Sequence, residues 1–221
     1  MQEGGKMLLA EERKIVAEFG KKLIDSGLTT GTGGNISIFN RDQQLMAITP
    51  SGVPYHDIKP EDVVVLDLNN NILDSNKKPS SEYEMHKIFY EKRKDVTAVV
   101  HTHSAYATTI ACLNWELPAV HYLIGYAGGK VPVAKYATYG TRELAENAYQ
   151  AMGNYNAVLL ANHGLLAVGK DIDWAFNTAE EIEFTCRIYY QTKAIGEPVI
   201  LSPKEMEKIM EKFESYGQMQ K

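Results

Sequence analysis

The sequence predicts an α/β layered domain built on a mixed sheet. Apolar runs of strand length, at residues 63–68, 97–102 and 157–161, interleave with stretches of helical periodicity. Residues 35–39 and 44–49 are joined across Asn40-Arg41-Asp42 and read as a hairpin, so part of the sheet pairs antiparallel. At 221 residues and 44% hydrophobic composition, the chain can bury a sizeable core. No linker rich in Pro, Gly or Ser divides it, and no repeat or low-complexity segment stands out.

Taken in order, residues 8–26 predict a helix. Ile15, Val16, Phe19, Leu23 and Ile24 form one stripe, and Gly27 lies where a helix-ending glycine belongs. The glycine-rich turn Thr30-Gly31-Thr32-Gly33-Gly34-Asn35 leads into the hairpin, and Pro50-Ser51-Gly52 is another tight turn. The strand at 63–68 is ended by Asn69-Asn70-Asn71. Ser81-Glu82-Tyr83-Glu84 has the capping-box pattern and predicts a helix to about Arg93. A strand over 97–102 and a helix over 105–113 follow. Short strands are expected at 118–123 and 131–134, around Gly125, Gly128 and Gly129. A helix over 141–152 is terminated by Gly153, and strands at 157–161 and 165–168 flank Asn162-His163-Gly164. Asp171 or Asp173 caps a long helix to about Ala194. Ser202-Pro203-Lys204-Glu205, a second capping box with Pro at the first helical position, opens a last helix to about Ser215.

Composition narrows the function classes. The formal net charge of −5 argues against general nucleic-acid binding, although a local pocket can still select an anionic small molecule. The N-terminal residues are polar and lack the apolar core of a signal peptide, and no apolar run is long enough to span a bilayer. Cys112 and Cys186 are too few for a disulfide scaffold; both sit in apolar helical contexts and read as buried thiols in a reducing cytoplasm.

The chemistry centres on His101-Thr102-His103. Alternate residues of a strand share a face, so these two imidazoles can converge on one metal ion. His163 closes the apolar run at 157–161; if that run neighbours the histidine strand, three rings meet. Three histidines with an open position are the arrangement of a catalytic zinc or similar ion, whereas structural sites fill all four positions. A single such histidine would be better explained by an ordinary backbone partner. Ser80-Ser81 at a helix N-terminus would offer hydroxyls and free N–H groups to a phosphate, and Glu82 beside a metal can serve as general base. Capping alone also accounts for Ser81 and Glu84. The turns Gly31 to Gly34 and Ser51-Gly52 could cradle an anion, but each alone is equally well a plain turn. His56, in a loop, and His86, in a helix, fit no metal cluster, and His121-Tyr122 sits beside glycine turns.

Together the motifs Thr32-Gly33-Gly34-Asn35-Ile36-Ser37, Ile48-Thr49-Pro50-Ser51-Gly52, Pro79-Ser80-Ser81-Glu82, Val100-His101-Thr102-His103, Tyr136-Ala137-Thr138-Tyr139-Gly140-Thr141 and Asn162-His163-Gly164 resemble the class II, zinc-dependent aldolase family, typified by L-fuculose-1-phosphate aldolase. The resemblance runs from about Leu8 to Gly217 in the family's motif order. It implies a three-layer α/β/α sandwich with a mixed, mostly antiparallel sheet. It also implies one Zn2+ per subunit, held by His101, His103 and His163, with Glu82 approaching the metal as acid/base. Positions Gly34, Asn35, Ser51, Gly52, Ser80 and Ser81 would take the substrate phosphate. Tyr122 and Tyr216 would reach the site from a neighbouring subunit of a C4 homotetramer, Tyr122 acting on the departing aldehyde oxygen.

The expected protein is therefore a single cytoplasmic domain over 1–221, with residues 1–7 flexible and 203–221 forming an interface helix and tail. Its expected activity is the reversible cleavage of a ketose 1-phosphate, L-fuculose 1-phosphate first, to dihydroxyacetone phosphate and L-lactaldehyde. No lysine lies in these motifs, so Schiff-base chemistry is not expected. Rival readings within the family are L-ribulose-5-phosphate 4-epimerase, where Asp rather than Glu usually follows the paired serines, and methylthioribulose-1-phosphate dehydratase. The adducin head domain, a non-enzymatic relative, lacks the metal ligands present here.

Overall fold

The computed structural model describes residues 7–214. Eight strands form one sheet: β1 (Asn35–Asn40), β2 (Leu45–Ile48), β3 (Val64–Asp67), β4 (Ile72–Asp74), β5 (Ala98–Thr102), β6 (Val133–Ala134), β7 (Ala157–Leu160) and β8 (Gly164–Gly169). The helices are α1 (Ala10–Asp25), α2 (Tyr83–Lys92), α3 (Ala105–Cys112), α4 (Arg142–Met152), α5 (Ile172–Ile195) and α6 (Pro203–Glu214). The spatial strand order is β4-β3-β2-β1-β5-β8-β7-β6. Every neighbouring pair is antiparallel except β6 with β7.

Two apolar cores, one on each face, make this a three-layer α/β/α sandwich. On one face Val16 and Phe19 of α1, Ile110 of α3, and Phe176 and Ile182 of α5 pack on Ile36, Val100, Leu159 and Leu165. On the other, Met85 and Phe89 of α2 and Leu144 and Met152 of α4 pack on Met46, Val99, Val158 and Leu166. Neighbours such as Val99 and Val100 thus go to opposite cores, as a strand's two-residue period requires. By the same alternation Asn35, Ser37 and His101 face α2, which sets the position of the site.

Helix ends follow the local chemistry. Thr141 caps α4, Asp171 rather than Asp173 caps α5, and Ser202 accepts from Glu205 N at 3.2 Å to start α6. Gly27 takes φ +69 just after α1, and Leu28 N closes on Leu23 O. The capping box expected at Ser81 does not form. Glu82 itself is the N-cap residue, its N–H goes to Ser80 Oγ at 3.3 Å, and Glu84 is engaged by Asn70 and Lys87.

Other expectations are also corrected. Residues 118–123 are not a strand: Leu117 makes an isolated bridge to Val131, and Tyr122–Tyr126 is a 3-10 turn started by His121. Gly125 leaves room there for Phe213 and Ile209 of α6, since a Cβ would stand 2.8 Å from the Phe213 ring. The Asn69-Asn70-Asn71 turn ends β3 as expected, and a short strand not foreseen, β4, follows it. Cys112 is exposed, because Ala107, Ile110 and Ala111 occupy the buried face of α3 and Cys112 falls outside it; Cys186 is buried. No described helix is long and apolar enough to cross a membrane. The expectations for residues 1–6 and for 215–221, Tyr216 included, lie outside the described residues.

Candidate active site

The site sits at one end of β1 and β5, where α2 begins. His101 pairs across the sheet with Asn35 on one side and Leu166 on the other, so its ring stands between two strands. His103 follows two residues on, just past the strand end. The next helix is fixed from elsewhere: Glu183 of α5 accepts N–H groups of Tyr106 and Ala107 at 2.9 and 2.8 Å, where α3 starts. His163 arrives differently from the sequence expectation. The run at 157–161 does not neighbour the histidine strand, because β8 lies between β5 and β7. The tight β7–β8 turn, with Asn162 at φ 54, carries His163 back towards β5. Gly164 permits this approach: a Cβ there would lie 2.2 Å from Thr102 O.

The three rings converge, with centroids 4.8, 4.8 and 5.1 Å apart. One ligand atom from each of Glu82, His101, His103 and His163 can be chosen so that all lie within 4.8 Å of one another. The proton positions suit a cation. His101 Nδ1 lies 2.9 Å from Leu165 O, and a carbonyl only accepts, so that nitrogen carries the hydrogen. In a neutral ring Nε2 then presents a bare lone pair, 3.0 Å from His103 Nε2 and 3.3 Å from Glu82 Oε2. Lone pairs and a carboxylate facing one another at these distances repel unless a positive charge lies among them. Burial, the largest cause, pushes His103 and His163 down to about 4, keeping both rings unprotonated at neutral pH. Burial raises Glu82, but His101, His163 and the Asn35 amide outweigh it and hold the carboxyl below the usual carboxylate range. Glu82 Oε1 is buried and receives no hydrogen bond from the described residues. The unprotonated His103 and His163 rings, a carboxylate and an unsatisfied oxygen form a donor set that fits a divalent cation.

A cavity of about 460 Å³ opens onto this cluster. The bridge between Pro50 and Pro79 brings Ser51-Gly52 beside Ser80-Ser81, and the turn at Gly33 and Gly34 completes the wall. Gly34 has φ +70 and lies against the His101 carbonyl, which a Cβ would meet at 2.6 Å. Buried Tyr55 donates to the carbonyls of Gly33 and Gly34, at 3.1 and 2.7 Å, and braces the turn from below. Of the residues expected at the site, Gly34, Asn35, Ser51, Gly52, Ser80, Ser81, Glu82, His103 and His163 all line the cavity, with His101 behind them. Tyr122 does not. It is half exposed, and its ring lies near His121 and Phe213. His56 lies by Asp25, away from the site.

Three features were not anticipated. Tyr136 and Tyr139 line the cavity mouth, where the loop before α4 packs so closely on Ser81 that a Cβ on Gly140 would stand 2.8 Å from Ser81 O. Their motif was visible in the sequence, but no position in it carried a role. The second feature is Tyr55, and the third is His86, fully buried beneath Asn35.

The family model described as "Class II Aldolase and Adducin N-terminal domain" matches residues 14–190. The chain belongs to the class II aldolase family. It is 58% identical over 212 residues to the 5-deoxy-D-ribulose 1-phosphate aldolase of Bacillus thuringiensis serovar kurstaki, covering 96% of this chain and 100% of that one. It is 42% identical over 193 residues to the L-fuculose phosphate aldolase of Escherichia coli K12, covering 86% and 88% respectively. A solved structure of an L-fuculose 1-phosphate aldolase superposes with a TM-score of 0.92 at 50% identity, over 96% of this chain and 100% of that one. Class II aldolases depend on a metal and act on phosphorylated sugars, and this class II aldolase carries a Glu/His cluster that can bind one.

Proposed function

We propose that this aldolase reversibly cleaves the C3–C4 bond of a deoxyketose 1-phosphate, releasing dihydroxyacetone phosphate and a short aldehyde. The observation that carries the reading is Glu82 Oε1: a buried, unsatisfied carboxylate oxygen among three histidines, on a residue that lines the same cavity as the Ser51-Gly52 and Ser80-Ser81 turns. His101, His103 and His163 would hold Zn2+, with Glu82 beside it. A cation there supplies Lewis acidity, offsetting the negative charge that develops on the substrate oxygens as the bond breaks.

The remaining work falls to the chain. Hydroxyls of Ser51, Ser80 and Ser81, with the turns at Gly34-Asn35 and Gly52, bind the phosphate and set the register of the sugar. Glu82 Oε1 takes the C4 hydroxyl proton during cleavage and returns a proton to carbon afterwards. Tyr122, on the protein surface, meets the aldehyde oxygen of a neighbouring subunit's substrate, and Tyr216 joins it in a C4 homotetramer. The chain works as one domain in the cytoplasm.

The substrates named for the relatives share a 1-phosphate, a C2 ketone and a terminal methyl group. Cleavage of 5-deoxy-D-ribulose 1-phosphate would give acetaldehyde, and cleavage of L-fuculose 1-phosphate L-lactaldehyde. The relative at 58% identity makes the five-carbon sugar the first to test and the six-carbon sugar the second. The assay incubates purified enzyme with each, and with pentulose 5-phosphates, and reads dihydroxyacetone phosphate through a coupled reductase. Release from a deoxyketose 1-phosphate supports the proposal. Faster interconversion of pentulose 5-phosphates than release of dihydroxyacetone phosphate overturns it in favour of an epimerase.

A further inference from the structure

We propose that His86 is a positioning residue that acts through Asn35 to fix the Glu82 carboxylate, leaving Oε1 as its working oxygen. The inference rests on the reading of Glu82 given above. Glu82, His86 and Tyr90 are spaced at i, i+4 and i+8 and share one face of α2 and its N-cap. Asn35 and Ser37 share the facing side of β1. The two rows interlock into one buried chain. Asn35 Nδ2 donates to Glu82 Oε2 at 3.0 Å, and His86 Nε2 lies 2.5 Å from Asn35 Oδ1. Ser37 Oγ lies 2.7 Å from His86 Nδ1, and Tyr90 OH 2.5 Å from Ser37 Oγ. His86 and Ser37 are 0% exposed and Tyr90 is 2% exposed.

The direction of every hydrogen bond is forced. An ionised Glu82 only accepts, so the Asn35 amide must turn its NH2 group towards it. Asn35 Oδ1 therefore faces His86 and can only accept, which places the hydrogen on His86 Nε2. Burial pushes His86 down to about 3, so the ring is neutral and its Nδ1 is bare. Ser37 then donates to Nδ1, and the Tyr90 hydroxyl donates to Ser37, shared between Oγ and the backbone carbonyl oxygen at 3.1 Å. All donors point towards Glu82. Apolar side chains would fill this space equally well, as they do one strand away at Met46 and Ile48. The polar chain instead prevents the Asn35 amide from turning over, which would set its oxygen against the carboxylate. Oε2 is thereby occupied and Oε1 is left without a hydrogen bond from the described residues.

The test compares metal-loaded wild type with His86→Leu, His86→Gln, Ser37→Ala and Glu82→Gln, and adds 15N NMR of the histidine rings in the wild type. His86→Leu should lower kcat by roughly 10–100-fold, the usual scale for a partner of a site residue, with KM for the sugar phosphate unchanged. His86→Gln, whose amide can donate to Asn35 and accept from Ser37, should recover most of that loss. A purely structural role would lower the melting temperature but leave kcat per folded, metal-loaded molecule intact and give Gln no advantage over Leu. Either result overturns the inference. If His86→Leu does not fold, Ser37→Ala decides: reduced kcat supports the chain, and unchanged kcat overturns it. The NMR should show His86 protonated at Nε2 and bare at Nδ1; the opposite tautomer reverses the chain and overturns the inference independently of activity. An inactive Glu82→Gln beside a fully active His86→Leu rejects this inference alone, whereas an active Glu82→Gln rejects the role proposed above for Glu82.

Discussion

Glu82 Oε1 lies 3.4 Å from His163 Nε2, although the two residues are 81 positions apart (163 − 82) in the sequence. The companion oxygen is already engaged by Asn35, so the carboxylate divides into a held oxygen and an open one. Replacing Glu82 by Gln keeps the shape and removes the base. We expect kcat to fall by about 10²–10⁴-fold, the usual contribution of a positioned acid/base. The three rings remain, so elemental analysis of the variant should still find one divalent ion per chain. Wild-type turnover in this variant would assign the proton transfer to another group.

Removal of the ion should abolish turnover, and its return should restore it. His101→Ala and His163→Ala should lose metal and activity together, because each deletes a ring from a cluster whose lone pairs converge. Activity that survives exhaustive chelation, checked by elemental analysis, would rule out the metal reading.

How much of this could be read in advance depends on the range of the interaction. The histidine pair was legible because strand alternation places residues 101 and 103 together without reference to the rest of the chain. The route of His163 was not: a pair of apolar runs says nothing about which strand is inserted between them, and β8 is. Ser81 and Glu84 match a capping box, but Glu84 instead pairs with Asn70 from a distant turn and with Lys87 one turn along the same helix. By sequence pattern alone His86 is a helix residue outside the metal cluster. Its role depends on register against β1, which a single sequence does not display.

The Gly164 contact gives a backbone prediction. Gly164→Ala places a methyl group against the Thr102 carbonyl, between two of the histidines. Neither partner is a flexible side-chain end, so β5 and β8 must separate. The cost should be about 1–3 kcal/mol, the range for overpacked cores, read by urea denaturation. Metal affinity should fall at the same time, read by competition with a chromophoric chelator. An unchanged affinity would show that the ring positions tolerate the shift.

Tyr55→Phe should act on the phosphate side. It deletes the donor shared by the Gly33 and Gly34 carbonyls in a buried setting, a loss of about 1–3 kcal/mol when such acceptors stay unpaired. The turn loosens without loss of any group that reaches substrate. KM for the sugar phosphate should therefore rise more than kcat falls, and inorganic phosphate should inhibit less strongly. A change confined to kcat would place Tyr55 in the chemistry instead.

The assembly prediction follows from what the cavity lacks. Tyr122 does not line the site of its own chain, and it is half exposed beside a half-buried His121, which in turn packs on the exposed Phe184. The amphipathic α6 packs Met206 and Ile209 inward and brings Phe213 near the Tyr122 ring. This patch is placed to meet a second copy. We expect a tetramer by light scattering, with Tyr122 serving the neighbouring subunit's cavity. Glu82→Gln and Tyr122→Phe should each be nearly inactive alone. In mixed tetramers some interfaces pair an intact Glu82 with a neighbour's intact Tyr122, so activity should partly return after subunit exchange. Exchange without recovery, verified by mass spectrometry of the mixed assemblies, would place Tyr122 in its own subunit's site or outside it.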